Sequence, residues 1–471
     1  MAFNSSAYLV FFVVVWLVVR ATTGFSLLRV WVLLLASWYY YASNNHWIML
    51  LLLVTTQIDY MAAIAIEDAP TLAVKKRWLT LSLVANLGML ASFKYLDFFG
   101  SSAAWLAHGL GLSLSWTDLH IVLPAGISFY TFESMSYTID VYRGHLRAER
   151  SWPRYAMFVA YFPHLVAGPI VRPAVFLPQI DAKQRLRADE FQAGLFLIFQ
   201  GLLKKIVLAD FLAPFADSAF DKPAEAGLFA AALGTYAFAL QIYFDFSGYT
   251  DLAIGCSKLM GFQLPENFRR PYAAMSMTDF WRRWHISLST WLRDYLYVPL
   301  GGNRMGSEWG VYRNLMITML LGGLWHGAAW HFVLWGGLQG AFLVLERHFG
   351  VGRRPGSGIA GTWQWTSRAI AFHLTCFCWI FFRAADGTAL REFFAAFLRT
   401  DVPMTVTAGT VVAAVIVAGG IILQQVGERW DLERLFVRLP IPVQAAAFAA
   451  IGVLVVVIGS GPDRPFIYFQ F

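Results

Sequence analysis

Apolar runs about twenty residues long, enough to cross a bilayer as a helix, recur along this chain from one end to the other. Nothing else in the sequence constrains the fold as strongly. Candidate spans fall near 7–20, 28–43, 47–66, 78–98, 119–141, 190–214, 228–255, 313–330, 331–347, 366–383, 407–424 and 441–460. Some of these are expected to be re-entrant or tilted, and 155–175, rich in Pro and Gly, to dip in and return. The expected fold is therefore an all-α polytopic membrane protein with about eleven transmembrane helices. Only 14% of the residues are charged, against about 25% in a soluble domain, and no polar stretch is long enough to fold by itself. The run from Tyr8 to Val19 has no basic segment before it and no small-residue cleavage site after it, so it reads as a retained span and not as a removed signal peptide.

Loop charge sets the expected orientation. Residues 1–19 carry no Lys or Arg, whereas Arg20 and Arg29 flank the first loop. The loop at 43–46 has none, the next carries Lys75, Lys76 and Arg77, the stretch 99–118 has none, and the following loop carries Arg143, Arg147, Arg150 and Arg154. This alternation places the N-terminus outside and the basic loops in the cytoplasm, with 258–312 cytoplasmic or tucked into that half of the membrane. The net charge of +7 is then topological, and no nucleic-acid partner is implied. Lys204 and Lys205 fall inside a span, where they could snorkel if that helix is tilted. No phosphate-cradling glycine motif occurs. Cys256, Cys376 and Cys378 have no CxxC partner and read as buried thiols, and no metal site is expected. Residues 351–362 read as a linker.

Three polar stretches stand out. In "LLGGLWHGAAWH", 320–331, His326 lies roughly 20 Å along a helix starting near Arg313, where an ionisable group faces a partner or a cavity. It is either a structural histidine bonded to a carbonyl or a reactive one. His331 reads as structural or interfacial. In "TDFWRRWHISLSTWLRDYLYVPLGGNR", 278–304, Trp281, Trp284, His285, Leu288, Trp291, Leu292 and Tyr295 share one face of an expected helix. That helix either lies on the membrane surface or turns His285 inward toward His326. In "QIYFDFSGYTDLAIG", 241–255, Asp245, Ser247, Tyr249 and Asp251 interrupt a span that Gly248 could break. They form either structural ion pairs or the polar wall of a reaction chamber. "FPHLVAGPIVRP", 162–173, adds His164 and Arg172 among prolines.

Taken together, "ENFRRPY", "FWRRWHISLSTWLRDYLYVPLGGNR" and "MLLGGLWHGAAW" resemble the signature blocks of the membrane-bound O-acyltransferase family. "LPAGISFYTFESMSYTIDVYRG", "FPHLVAGPIVR" and "YFDFSGYTDLAIG" resemble its bacterial polysaccharide-modifying branch. The resemblance implies one membrane-embedded acyltransferase domain over 1–471, with core motifs in 90–345 and peripheral helices in 1–89 and 363–471, built around a central tunnel. It places the catalytic histidine at His326 and the second family histidine at His285. Asp245, Ser247, Tyr249, Asp251, Trp325 and Trp284 are tunnel-lining candidates. Arg269, Arg270, Arg282 and Arg283 are candidates for donor phosphates, or equally for anionic lipid. No bound cofactor is implied. The implied donor is a cytoplasmic thioester, most simply acetyl-CoA. The implied acceptor is an exported polysaccharide, alginate before cellulose, reached directly or through periplasmic partner proteins. The implied location is the bacterial inner membrane. A transporter of acyl donor without chemistry is the alternative from a different class, and the inverted repeats common in transporters are absent.

Overall fold

The structure, a computed structural model, describes residues 3, 5–43, 46–181, 186–351, 361–427, 432–459 and 464–467. Most of the expected linker 351–362 lies outside them. Every regular element among the described residues is helical. Among the described residues, five helices are long and apolar enough to cross a membrane: His46–Asp68, Leu72–Gly109, Leu228–Leu259, Ala408–Val426 and Ile441–Ile458. The chain divides into two compact units, residues 1–195 with 253–265, and residues 196–252 with 266–471.

In the first unit, α1 (Ser6–Ala21), α2 (Ser26–Ala42), α3 (His46–Asp68) and α4 (Leu72–Leu90) follow the expected spans. Helix α4 continues through a π turn into α5 (Leu96–Gly109). Side chains start these helices. Ser5 Oγ accepts from the Tyr8 N–H and Thr71 Oγ1 from that of Val74, which satisfies amides that have no partner within the helix. The expected span 119–141 is corrected. Residues 112–124 form no helix, and α6 runs Ile127–Tyr142. All of α6 except Ile139 and Tyr142 is buried, although it carries Glu133 and a series of hydroxyls. Glu133 Oε1 accepts from the Val171 N–H, Ser136 Oγ donates to the Glu133 carbonyl and Thr138 Oγ1 accepts from Ser82 Oγ, so uniform burial replaces an amphipathic face. The proline-rich stretch breaks into α7 (Trp152–Ala160), α8 (Phe162–Leu165) and α9 (Pro173–Phe176). It is buried almost throughout.

α10 (Ala188–Leu202) runs from the first unit into the second, where a π segment leads to α11 (Asp210–Phe220). α12 is a single helix, Leu228–Leu259. Gly248 does not break it. Its place is close packing: a Cβ there would crowd the Gly201 carbonyl and the Lys204 side chain. Lys204 and Lys205 do not snorkel. Lys204 Nζ lies 2.6 Å from Asp251 Oδ2, and Lys205 Nζ lies 2.8 Å from Asp210 Oδ1 and 3.0 Å from Asp245 Oδ1. Asp251 and Asp245 on the facing α12, and Asp210 at the start of α11, offer these ammonium groups a shorter route to compensation than the interface does.

The expected continuous helix over 278–304 is also corrected. It is two short helices, α13 (Met277–Trp281) and α14 (Ile286–Leu292), followed by a π turn at Arg293–Tyr297. Beyond it come α15 (Glu308–His326), α16 (Trp330–His348), α17 (Gly361–Arg383), α18 (Gly387–Ala396), α19 (Ala408–Val426), α20 (Leu432–Val437) and α21 (Ile441–Ile458).

Candidate active site

Helices α15 and α16 form a tight hairpin. Ser307 caps the start of α15 by accepting from the Gly310 N–H, and Gly327, extended in conformation, ends it directly after His326. Gly323 and Gly336 let the two backbones touch. A Cβ on Gly323 would run into the Phe332 carbonyl, and one on Gly336 into that of Met319. Small residues at such a seam favour close helix packing in a membrane. Because α15 stops at His326, His331 belongs to a new helix. Its Nδ1 lies 3.3 Å from the Phe381 carbonyl, a structural contact.

His326 is buried among rings. Its imidazole stands edge-on to Trp335, with centroids 5.0 Å apart, to Trp325 at 5.1 Å and to Phe382 of α17 at 5.4 Å. T-shaped packing of this kind fixes ring orientation.

His285 sits where the expected helix breaks. Its backbone is left-handed, φ 43° and ψ 54°, a conformation that costs a non-glycine residue about 1–2 kcal/mol. The 266–270 segment holds it there. The Ile286 N–H donates to the Asn267 carbonyl at 2.9 Å, and the Arg269 N–H to that of Arg283 at 2.9 Å. Asn267 Oδ1 lies 3.1 Å from the Ser287 backbone nitrogen, 2.9 Å from Ser287 Oγ and 3.1 Å from His285 Nδ1. The imidazole is fully buried, edge-on to Phe246 at 4.7 Å. Burial pushes its pKa down to about 3, because an apolar surround disfavours the charged ring. This residue lies outside the five helices long enough to span.

Trp325 joins the two histidines. Its ring is 6.0 Å from that of His285 and 5.1 Å from that of His326. Trp284 packs instead on Phe268, Phe280 and Trp379. Asp245 bonds Lys205 and also accepts from the Ile467 N–H at 2.7 Å. Tyr249 packs against Phe466, and Ser247 is buried on the same helix. Among the arginines, Arg269 pairs with Glu266 at 2.9 Å and Arg283 with Asp279 at 2.9 Å. Arg282 is exposed, and Arg270 has a left-handed backbone beside Gly427. In the first unit, His164 Nδ1 lies 3.0 Å from Glu133 Oε1, which also accepts from the Val171 N–H at 2.8 Å.

Sequence reasoning passed over Asn267, Trp335, Phe382 and Glu346. Glu346 of α16 accepts from the Thr278 N–H and Oγ, each at 2.9 Å, and from the Met277 N–H, thereby capping α13. Only Asn267 left a local signal, since it lies inside the quoted block "ENFRRPY".

The model of the membrane-bound O-acyltransferase family matches residues 145–385, a stretch that contains both histidines, Asn267 and Trp325. This protein belongs to that family and is a multi-pass membrane protein. It is 46% identical to a probable alginate O-acetylase of Azotobacter vinelandii over 323 residues, 68% of this chain and 62% of that one. It is also 46% identical to a probable alginate O-acetylase of Pseudomonas aeruginosa over 313 residues, 66% of this chain and 58% of that one. A peptidoglycan O-acetyltransferase of Helicobacter pylori is 38% identical over 357 residues, 70% of this chain and 66% of that protein. The chain thus spans about three fifths of the length of the alginate relatives it matches.

Proposed function

We propose that this protein is a membrane-embedded O-acetyltransferase that uses a cytoplasmic acetyl thioester, acetyl-CoA, for O-acetylation of an exported polysaccharide. The observation that carries this reading is the pair of buried histidines sharing one tryptophan, Trp325, within the matched family region. A sugar hydroxyl is a weak nucleophile near neutral pH. As its oxygen attacks the thioester carbonyl, a neutral His326 takes its proton. The carbon–sulfur bond then breaks, and the proton passes to the leaving thiolate. The aromatic wall around His326 keeps water away from the thioester.

The working form is one acyltransferase body of about eleven spans around a tunnel open at each face, in the bacterial inner membrane with its N-terminus periplasmic. The basic residues at 75–77, in the first turns of α4, and at 143–154 support that orientation. Arg269, Arg270, Arg282 and Arg283 are the guanidinium groups assigned to donor phosphates, with periplasmic modification proteins as partners. Alginate is the assigned polymer, after the printed names of the two relatives at 46% identity.

The test supplies acetyl-labelled CoA to purified protein, with alginate and with peptidoglycan fragments as acceptors, in detergent and in proteoliposomes. Label in O-acetyl ester on alginate, lost in His326→Ala, is expected. Ester on peptidoglycan alone would replace the polymer. Accumulation of intact donor in vesicles without ester, or full transfer by His326→Ala, would overturn the assignment.

A further inference from the structure

We propose that Asn267 is a positioning residue that sets the tautomer of His285, so that Nδ1 carries the proton of the neutral ring and Nε2 is a hydrogen-bond acceptor. The role assigned to that acceptor rests on the reading of His285 and His326 as a reaction centre; the tautomer itself does not.

One backbone N–H fixes which way the Asn267 amide points. A side-chain amide presents an oxygen and a nitrogen of similar shape, and its hydrogen-bond partners tell them apart. The backbone nitrogen of Ser287, 3.1 Å from Asn267 Oδ1, can only donate. The atom facing it is therefore the amide oxygen. An amide oxygen cannot donate, so the Ser287 hydroxyl at 2.9 Å donates to it. His285 Nδ1 at 3.1 Å donates too. A neutral imidazole holds one N–H, and this contact spends it at Nδ1. Nε2 keeps its lone pair.

The partner is also uncharged. A carboxylate at this position would fix the same tautomer but would add a negative charge that favours imidazolium. An amide oxygen orients the ring without doing so, and the apolar surround of Phe246 and Trp325 keeps it neutral. The left-handed backbone of His285 belongs to the same device. The Ile286 N–H bonds the Asn267 main chain at 2.9 Å while the ring bonds the Asn267 side chain at 3.1 Å.

The consequence narrows what His285 does. In its neutral form it cannot offer an N–H from Nε2 to a developing oxyanion. It accepts from a donor, and the donor the proposed reaction brings is the sugar hydroxyl. His285 thus orients the hydroxyl whose proton His326 removes.

The experiment is nitrogen NMR on full-length protein carrying 15N-histidine, with the His285 signals assigned by their absence in His285→Gln. At neutral pH the native ring is expected to show a protonated Nδ1 and an unprotonated Nε2. Asn267→Asp keeps the acceptor, and is expected to keep that tautomer and to retain kcat within about tenfold. Asn267→Ala is expected to show the Nε2–H tautomer and to lose about a hundredfold or more in kcat, with KM for the thioester little changed. In a Ser-His-Asp triad the wrong tautomer costs about 10⁴-fold. A native ring protonated at Nε2 would overturn the proposal, as would Asn267→Ala keeping both the Nδ1–H signal and full kcat. The spectrum needs no turnover, so it decides the tautomer even if His326→Ala retains transfer and the acyltransferase reading fails.

Discussion

Two buried histidines of this protein, one in each unit, solve the same problem in different ways. His164 is bound to a carboxylate, Glu133, whose Oε1 also takes the Val171 N–H. That closed arrangement ties α6 to the proline-rich segment around α8. His285 is bound to an amide, and its neighbour through Trp325, His326, is enclosed by rings. Burial alone therefore does not mark a reactive imidazole. What differs is the partner: His164 meets a carboxylate, whereas His285 meets an amide oxygen and His326 an aromatic wall.

The largest test of that contrast exchanges the two losses. His326→Ala is expected to cut acetyl transfer by about 10²–10⁴-fold with an unchanged melting profile in detergent. His164→Ala is expected to lower stability by about 3–5 kcal/mol, read as a lower melting temperature, while folded molecules keep their kcat. A His164→Ala protein that melts normally but cannot transfer acetyl would erase the distinction. Lys205→Met belongs with the structural losses, because it strands Asp245 and Asp210. A cost of about 3–5 kcal/mol is expected in the same melt, and a melting temperature equal to the native one would contradict it.

Smaller effects sharpen the contrast. Gly336→Ala drives a methyl against the Met319 carbonyl and is expected to cost about 1–3 kcal/mol. Because that seam holds His326, kcat should fall with stability. Normal kcat in Gly336→Ala would show that the hairpin tolerates opening. Smallest is Arg282→Ala, expected to raise KM for acetyl-CoA about threefold with kcat unchanged, since it removes binding common to ground and transition states. An unchanged KM across a salt series would withdraw Arg282 from the donor site.

Much of the helical plan was legible in the sequence. The runs behind α1 to α4, α12, α19 and α21 announced themselves by apolar length, which is a local property. His326 and His285 were candidates from the blocks around them. The break at His285 was not. Trp281, Trp284, Leu288 and Tyr295 keep helical spacing, and nothing between them signals a stop. The break exists because Asn267, eighteen residues earlier, supplies its carbonyl and amide oxygens to that turn. Gly248 misled for the opposite reason: it resembles a breaker, yet it serves the close approach of Gly201.

The sequence by itself determined that this chain is helical and membrane-bound, since a bilayer demands apolar length and internally satisfied backbone, and both are written in consecutive residues. The tertiary structure alone decided what each buried polar group meets. Lys204 finds Asp251 across 47 residues of chain, His164 finds Glu133, and His285 finds Asn267. Such pairings depend on how helices stack, and side chains distant in the chain carry no local mark of one another.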